Sequence, residues 1–119
     1  MILIVDDNLD WCYTVRIWFE ASGYEYKIAT DGYSAIEMLY KEPFDLVILD
    51  LFMPQMSGTK LCEYIRQKFP QTRVVLMSGM DNQYLCGVKV NCHFYRKPIE
   101  GAEFLNIIKY EIDKEDISC

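Results

Sequence analysis

The sequence predicts an α/β fold, a doubly wound five-stranded parallel sheet with helices on both faces. Two observations carry the prediction. Ile2-Leu3-Ile4-Val5, Leu46-Val47-Ile48-Leu49 and Val74-Val75-Leu76-Met77 are short apolar runs, each followed by a polar residue. Continuous runs of this length suit strands buried on both faces, as in a parallel sheet covered by helices. Stretches with helical apolar spacing alternate with these runs, which implies right-handed crossovers between parallel strands. The length of 119 residues is that of an ordinary domain. No linker, low-complexity tract or repeat divides the chain, so residues 1–119 read as a single domain.

In chain order, Ile2–Val5 is the first strand. Leu9–Ser22 is a helix with Trp11, Val15, Trp18 and Ser22 spaced toward the core, ended by Gly23 as its C′ residue. Tyr24–Ala29 is a weaker second strand. Asp31 can cap a helix from Gly32 to Lys41, with Pro43 just beyond. Leu46–Leu49 is the third strand. Ser57–Lys68 is a helix carrying Leu61, Tyr64 and Ile65 on one face, with Pro70 after it. Val74–Met77 is the fourth strand. Asn82–Lys89, interrupted by Gly87, reads as a short or irregular fourth helix. Cys92–Tyr95 is the last strand. Glu100–Lys114 is the last helix, with Phe104, Leu105, Ile108 and Ile112 on one side. Lys114–Cys119 has the look of a frayed end.

Composition narrows the function. The chain is 51% apolar and 25% charged, which is globular and not tail-like. Eighteen acidic against twelve basic side chains give a net charge of −6. That field repels phosphate backbones, and no Lys/Arg cluster offsets it, which argues against direct nucleic-acid binding. No apolar run approaches the ~20 residues of a membrane span, and Met1 leads into Ile2 with no basic segment. Secretion and membrane insertion are therefore not expected. The five cysteines are odd in number and form no C-x-x-C pair, which fits reduced thiols in the cytoplasm. Cys86, Cys92 and His93 lack the spacing of a metal site.

In a parallel sheet of this kind, ligands sit outside the carboxyl ends of the strands. Here those ends carry Asp6-Asp7, Asp50, Ser78-Gly79 and Arg96-Lys97-Pro98. Singly, each has an ordinary explanation as a cap, a turn or a solvated tip. Five such groups at one rim are harder to explain that way. Three aspartates and one lysine sum to −2, a cluster whose net charge repels itself unless a cation neutralises it. Carboxylate and carbonyl oxygens select Mg²⁺, which commonly bridges to a phosphoryl group. Asp50 could then act as a nucleophile and form an aspartyl phosphate. Lys97 would stabilise the transferred oxygens and the Ser78 hydroxyl could reach one of them.

Val5-Asp6-Asp7-Asn8, Leu49-Asp50-Leu51-Phe52-Met53-Pro54-Gln55-Met56-Ser57-Gly58, Met77-Ser78-Gly79 and Lys97-Pro98, in this order, resemble the receiver domain of two-component response regulators. The likeness runs over essentially the whole chain and implies a CheY-like, flavodoxin-like strand order, 2-1-3-4-5. It implies that Asp50 is the phosphoacceptor. It makes Asp7, Asp50 and the backbone carbonyl of Phe52 the Mg²⁺ ligands, with Asp6 acting through water. Ser78 matches the hydroxyl that meets the phosphoryl group, Phe94 the aromatic switch, and Lys97 the phosphate-contacting lysine. The Lys97-Pro98 bond would be cis. The donor implied is a histidine kinase or histidine phosphotransfer protein, and the recipient of the signal a downstream protein target or output domain. Such a domain is a self-modifying switch and not an enzyme acting on a free substrate. Phosphorylation is expected to change the surface around Asn82–Lys89, the last strand and the last helix.

The chain departs from the family pattern in places. Ser78 to Lys97 is a few residues short, and Val90-Asn91 replaces the usual Gly-Ala before the last strand. That segment is either ordered by a partner or carries a harmless deletion. Two positions that tune phosphoryl hydrolysis in the family hold Phe52 and Met80. Neither can orient an attacking water and both can exclude it, so slow self-dephosphorylation is expected. Leu9, Tyr13 and Ile17 form a second apolar row on the first helix, read as a docking stripe for the phosphodonor. An over-hydrophobic helix is the alternative. Ile107 and Tyr110, off the core face of the last helix, offer a candidate homodimer surface.

A haloacid-dehalogenase-type phosphatase needs a second acid where this chain has Phe52. A flavodoxin binds its FMN phosphate through a loop that Asp7-Asn8-Leu9-Asp10 would make repulsive. The remaining alternative is a receiver-shaped protein–protein module that no longer cycles through phosphorylation.

Overall fold

The computed structural model describes residues 1–51, 53, 56–79, 93–97 and 99–113. Five strands pair in parallel: β1 (Ile2–Val5), β2 (Tyr26–Ala29), β3 (Leu46–Asp50), β4 (Arg73–Ser78) and β5 (His93–Arg96). Their order is β2-β1-β3-β4-β5, as the sequence predicts. Among the described residues the helices are α1 (Leu9–Ser22), α2 (Gly32–Lys41), α3 (Gly58–Lys68) and α4 (Gly101–Asp113). None of them is long and apolar enough to cross a membrane.

Side-chain alternation along the strands builds a core on each face of the sheet. Leu3, Val5, Val47, Leu49, Val74 and Leu76 meet Ala35 and Leu39 of α2 and Leu61, Cys62 and Ile65 of α3. Ile2, Ile4, Leu46, Ile48, Val75 and Met77 meet Val15 and Phe19 of α1 and Phe104 and Ile108 of α4. The three central strands are buried on both faces because they have helices on both, which is why their sequences read as unbroken apolar runs.

The helix ends follow the sequence signals. Asp31 caps α2, accepting a hydrogen bond from the Ser34 backbone N–H at 2.8 Å. Gly23 ends α1 with φ of 78°, a left-handed conformation that side chains disfavour. Asn8 caps α1 by accepting from the Trp11 backbone N–H at 3.1 Å.

Several boundaries differ from expectation. β2 begins at Tyr26, β4 runs from Arg73 to Ser78 and β5 reaches Arg96. Ser57 is the cap of α3 and not its first residue. In α1 the buried residues are Cys12, Val15 and Phe19, with Trp11 and Trp18 half-buried beside them. Ser22 is exposed and donates its hydroxyl to the Trp18 carbonyl at 2.8 Å, so it does not face the core. The segment Asn82–Lys89 with Cys86 and Gly87, Val90, Asn91, Cys92, and Lys114–Cys119 lie outside the described residues.

Candidate acidic phosphoryl site

Parallel pairing brings the carboxyl ends of the strands to one rim, and the polar residues that follow them converge there. The backbone N–H of Asp6 donates to the Ala29 carbonyl at 3.1 Å, which extends the β1–β2 ladder by one residue and buries the aspartate to 2% exposure. Its Oδ1 accepts from the backbone N–H of Asn8 at 2.9 Å. Asp6-Asp7-Asn8 is thereby a tight turn, anchored on one side by the sheet and on the other by the cap of α1. Asp7 is exposed at its crest.

Asp50 is the last residue of β3 and half-buried. The chain after it is drawn close to α3, where the Gly58 N–H donates to the Leu51 carbonyl at 2.8 Å. A Cβ on Gly58 would stand 2.6 Å from Leu51 Cα and nearer still to the Asp50 carbonyl oxygen, so only glycine fits. Carboxylate oxygens of Asp6, Asp7 and Asp50 all lie within 4.8 Å of one another. Three hard oxygen donors at this spacing suit a divalent cation such as Mg²⁺.

The opposite wall comes from β4 and β5. Ser78, the last residue of β4, is 1% exposed. Its carbonyl accepts from the Lys97 backbone N–H at 2.9 Å, so the ladder carries Lys97 to the rim. The Lys97 ammonium then reaches Asp6 Oδ2 at 2.6 Å. Its Nζ also lies 5.0 Å from the centroid of the Trp11 ring. Phe94 is half-buried on β5, opposite Leu76, and packs against the α2–α3 core. Beneath the site, the Cys12 thiol donates to the Asp6 carbonyl at 3.4 Å. Burial, reinforced by the Asp6 carboxylate, pushes the Cys12 thiol up to about 11.

The structure thus brings together Asp6, Asp7, Asp50, Ser78 and Lys97. Phe52, Met80 and Pro98, predicted for metal ligation, hydrolysis tuning and the cis bond, lie outside the described residues. Leu9, Tyr13 and Ile17 are 69%, 66% and 50% exposed along α1. Leu9 and Tyr13 border a shallow hollow of about 350 Å³, lined also by Cys12, Arg16, Ile28 and Thr30. Ile107 is half-buried and Tyr110 exposed on α4.

One polar cluster was not anticipated. Glu111 is 3% exposed in α4, with its Oε2 2.5 Å from His93 Nδ1 and accepting the Tyr95 hydroxyl at 2.7 Å. Burial, helped by Glu111, raises the Tyr95 phenol. The signal available in the sequence was spacing alone: Glu111 follows Phe104 and Ile108 at i+7 and i+3, on the core face.

The chain resembles known proteins in sequence and in fold. The response regulator receiver domain family model matches residues 2–109. Regulator of RpoS from Escherichia coli (strain K12) is 40% identical over 81 residues, 68% of this chain and 24% of that protein. Alkaline phosphatase synthesis transcriptional regulatory protein PhoP from Bacillus subtilis (strain 168) is 26% identical over 121 residues, 99% of this chain and 50% of that protein. This chain therefore spans at most half the length of these two relatives. A response regulator receiver domain protein (CheY-like) from Methanospirillum hungatei JF-1 matches at TM-score 0.82 and 26% identity, covering 94% of this chain and 92% of that one.

Proposed function

The chain belongs to the response regulator receiver domain family, and from that premise we propose that Asp50 is its phosphoacceptor. Receiver domains of two-component systems are phosphoryl-accepting switches. The observation that carries the finer reading is the meeting of three carboxylates with the Lys97 ammonium at one rim.

The donor in this reading is a phosphohistidine on a histidine kinase or phosphotransfer protein. An Asp50 carboxylate oxygen attacks phosphorus. The O–P bond forms as the N–P bond breaks, and the imidazole leaves with the nitrogen electron pair and takes up a proton. Asp7 and Asp50, with the Phe52 carbonyl, would hold Mg²⁺, and Asp6 would assist through water. When bound there, Mg²⁺ supplies the positive charge that lets a phosphoryl dianion approach the carboxylates. Lys97 stabilises the transferred oxygens from the opposite side, and the Ser78 hydroxyl engages one of them. Phe94 then reports the change to the β5–α4 surface. Phe52 and Met80 bring no group that could activate water, which supports a long-lived phosphoryl form. The chain modifies itself and turns over no free substrate.

Leu9, Tyr13 and Ile17, exposed along α1, are assigned to docking of the donor protein. The test is incubation with Mg²⁺ and a small phosphodonor, with beryllofluoride in parallel, comparing wild type with Asp50→Asn. Wild type gains one phosphoryl group and the variant gains none. A wild-type chain inert to both reagents would leave only the receiver-shaped interaction module.

A further inference from the structure

Lys97 is held from two sides by groups of different kinds. Its ammonium meets Asp6 Oδ2 at 2.6 Å and stands 5.0 Å from the Trp11 ring centroid, leaving the side chain 14% exposed. An ammonium at this distance is attracted to the indole ring, and more strongly where water is excluded. A lysine stem is flexible and loses much rotamer freedom when fixed. Walls that hold it in advance leave less to reorganise when charge arrives.

Trp11 is itself held in place. Its ring meets Trp18 and Phe104 edge-on, each at 5.8 Å, and Trp18 lies 5.2 Å from Phe104. Phe104 is fully buried at the α1–α4 contact. At the start of α4, a Cβ on Gly101 would come 2.7 Å from Trp18 Nε1, so the absence of a side chain there makes room for the indole. Packing between α1 and α4, and not solvent, sets the position of Trp11.

The geometry points to Trp11 as a positioning residue for Lys97. The indole keeps the ammonium beside the acid cluster and ties its place to the aromatic packing between α1 and α4. This inference rests on the reading of Asp50 as phosphoacceptor and Lys97 as the group that stabilises the transferred oxygens. When Lys97 turns toward a phosphoryl oxygen, the charge beside the Trp11 ring moves with it. Trp18 and Phe104, which touch that ring, then sense the state of the site.

Two substitutions separate ring from bulk. Trp11→Phe keeps an aromatic face and Trp11→Met keeps apolar volume without one. With Mg²⁺ and acetyl phosphate, Trp11→Met should lower the phosphorylation rate constant about fivefold, and Trp11→Phe should recover most of it. A second arm needs no phosphodonor and also serves if Trp11→Met fails to fold. The chain has two tryptophans, so Trp18→Phe leaves Trp11 as the single indole. In that background Lys97→Met should shift the Trp11 emission, because the charge beside the ring is gone. Wild-type rates in Trp11→Met, equal losses in the Phe and Met variants, or an emission indifferent to Lys97→Met would each overturn the assignment. Failure of the wild-type chain to take up phosphate would instead overturn the phosphoacceptor reading, and the emission arm would still decide whether the indole senses the lysine.

Discussion

Lys97 Nζ and Asp6 Oδ2 lie 2.6 Å apart across 91 positions of sequence, with the carboxylate 2% exposed. The pair joins the end of β5 to the end of β1. Desolvation offsets much of the attraction in such pairs, but removing one partner strands the other. Lys97→Met should therefore lower stability by about 3 kcal/mol, read as a fall in the urea midpoint in EDTA. Mg²⁺ should restore part of the loss by binding the folded state. An unchanged midpoint in EDTA would contradict the pairing.

The acid cluster predicts the opposite sign for Asp7. Its carboxylate shares a 4.8 Å neighbourhood with those of Asp6 and Asp50, and like charges so placed repel. Asp7 is exposed, so water screens much of this. Asp7→Asn should stabilise the metal-free protein by about 1 kcal/mol. Mg²⁺ should raise the melting temperature of wild type, and the same variant should lose that rise. Destabilisation in EDTA would show that Asp7 holds the turn and does not strain it.

Legibility in the sequence followed burial. β1, β3 and β4 are sandwiched between helices, so their apolar runs stop abruptly at Asp6, Asp50 and the polar end of β4, which marked the rim. The edge strands Tyr26–Ala29 and His93–Arg96 are only partly buried and mix polar with apolar residues, so their limits were blurred. The rotation of α1 was hard to read because Trp11, Cys12, Val15, Trp18 and Phe19 make a broad apolar face, with Leu9, Tyr13 and Ile17 beside it. A helix with so little polar contrast does not announce which side is inward. Glu111 was missed because a carboxylate on a helix ordinarily signals solvent. The approach of Trp11 to Lys97 has no local signature, since it exists only once α1 and β5 are placed on the sheet.

Cys12 predicts a response to alkali. Its thiol sits at about 11 in the folded protein, raised by burial and by the Asp6 carboxylate from an ordinary value of 9.0. The folded state therefore holds this proton more tightly than the unfolded chain. The associated stability is complete below pH 9.0 and is lost as pH rises toward 11. The full loss is on the order of 2–3 kcal/mol. Cys12→Val should flatten the decline of the urea midpoint between those pH values. Parallel curves for wild type and variant would rule out the thiol as its source.

Tyr13 separates docking from chemistry. It stands 66% exposed between Leu9 and Ile17 on α1, one helix face away from the Cys12 side chain that touches Asp6. A charge at Tyr13 stays in water in the free protein, so folding should be within about 0.5 kcal/mol of wild type. A donor helix laid along the row would have to desolvate that charge without a partner, which is costly. Tyr13→Glu should slow transfer from a phosphorylated histidine donor about tenfold or more, through weaker docking. A small phosphodonor makes no contact with the row and should phosphorylate Asp50 at the wild-type rate. Matching losses with both donors would move Tyr13 from the docking surface into the site, and no loss with either would mark the apolar row as surface without a partner.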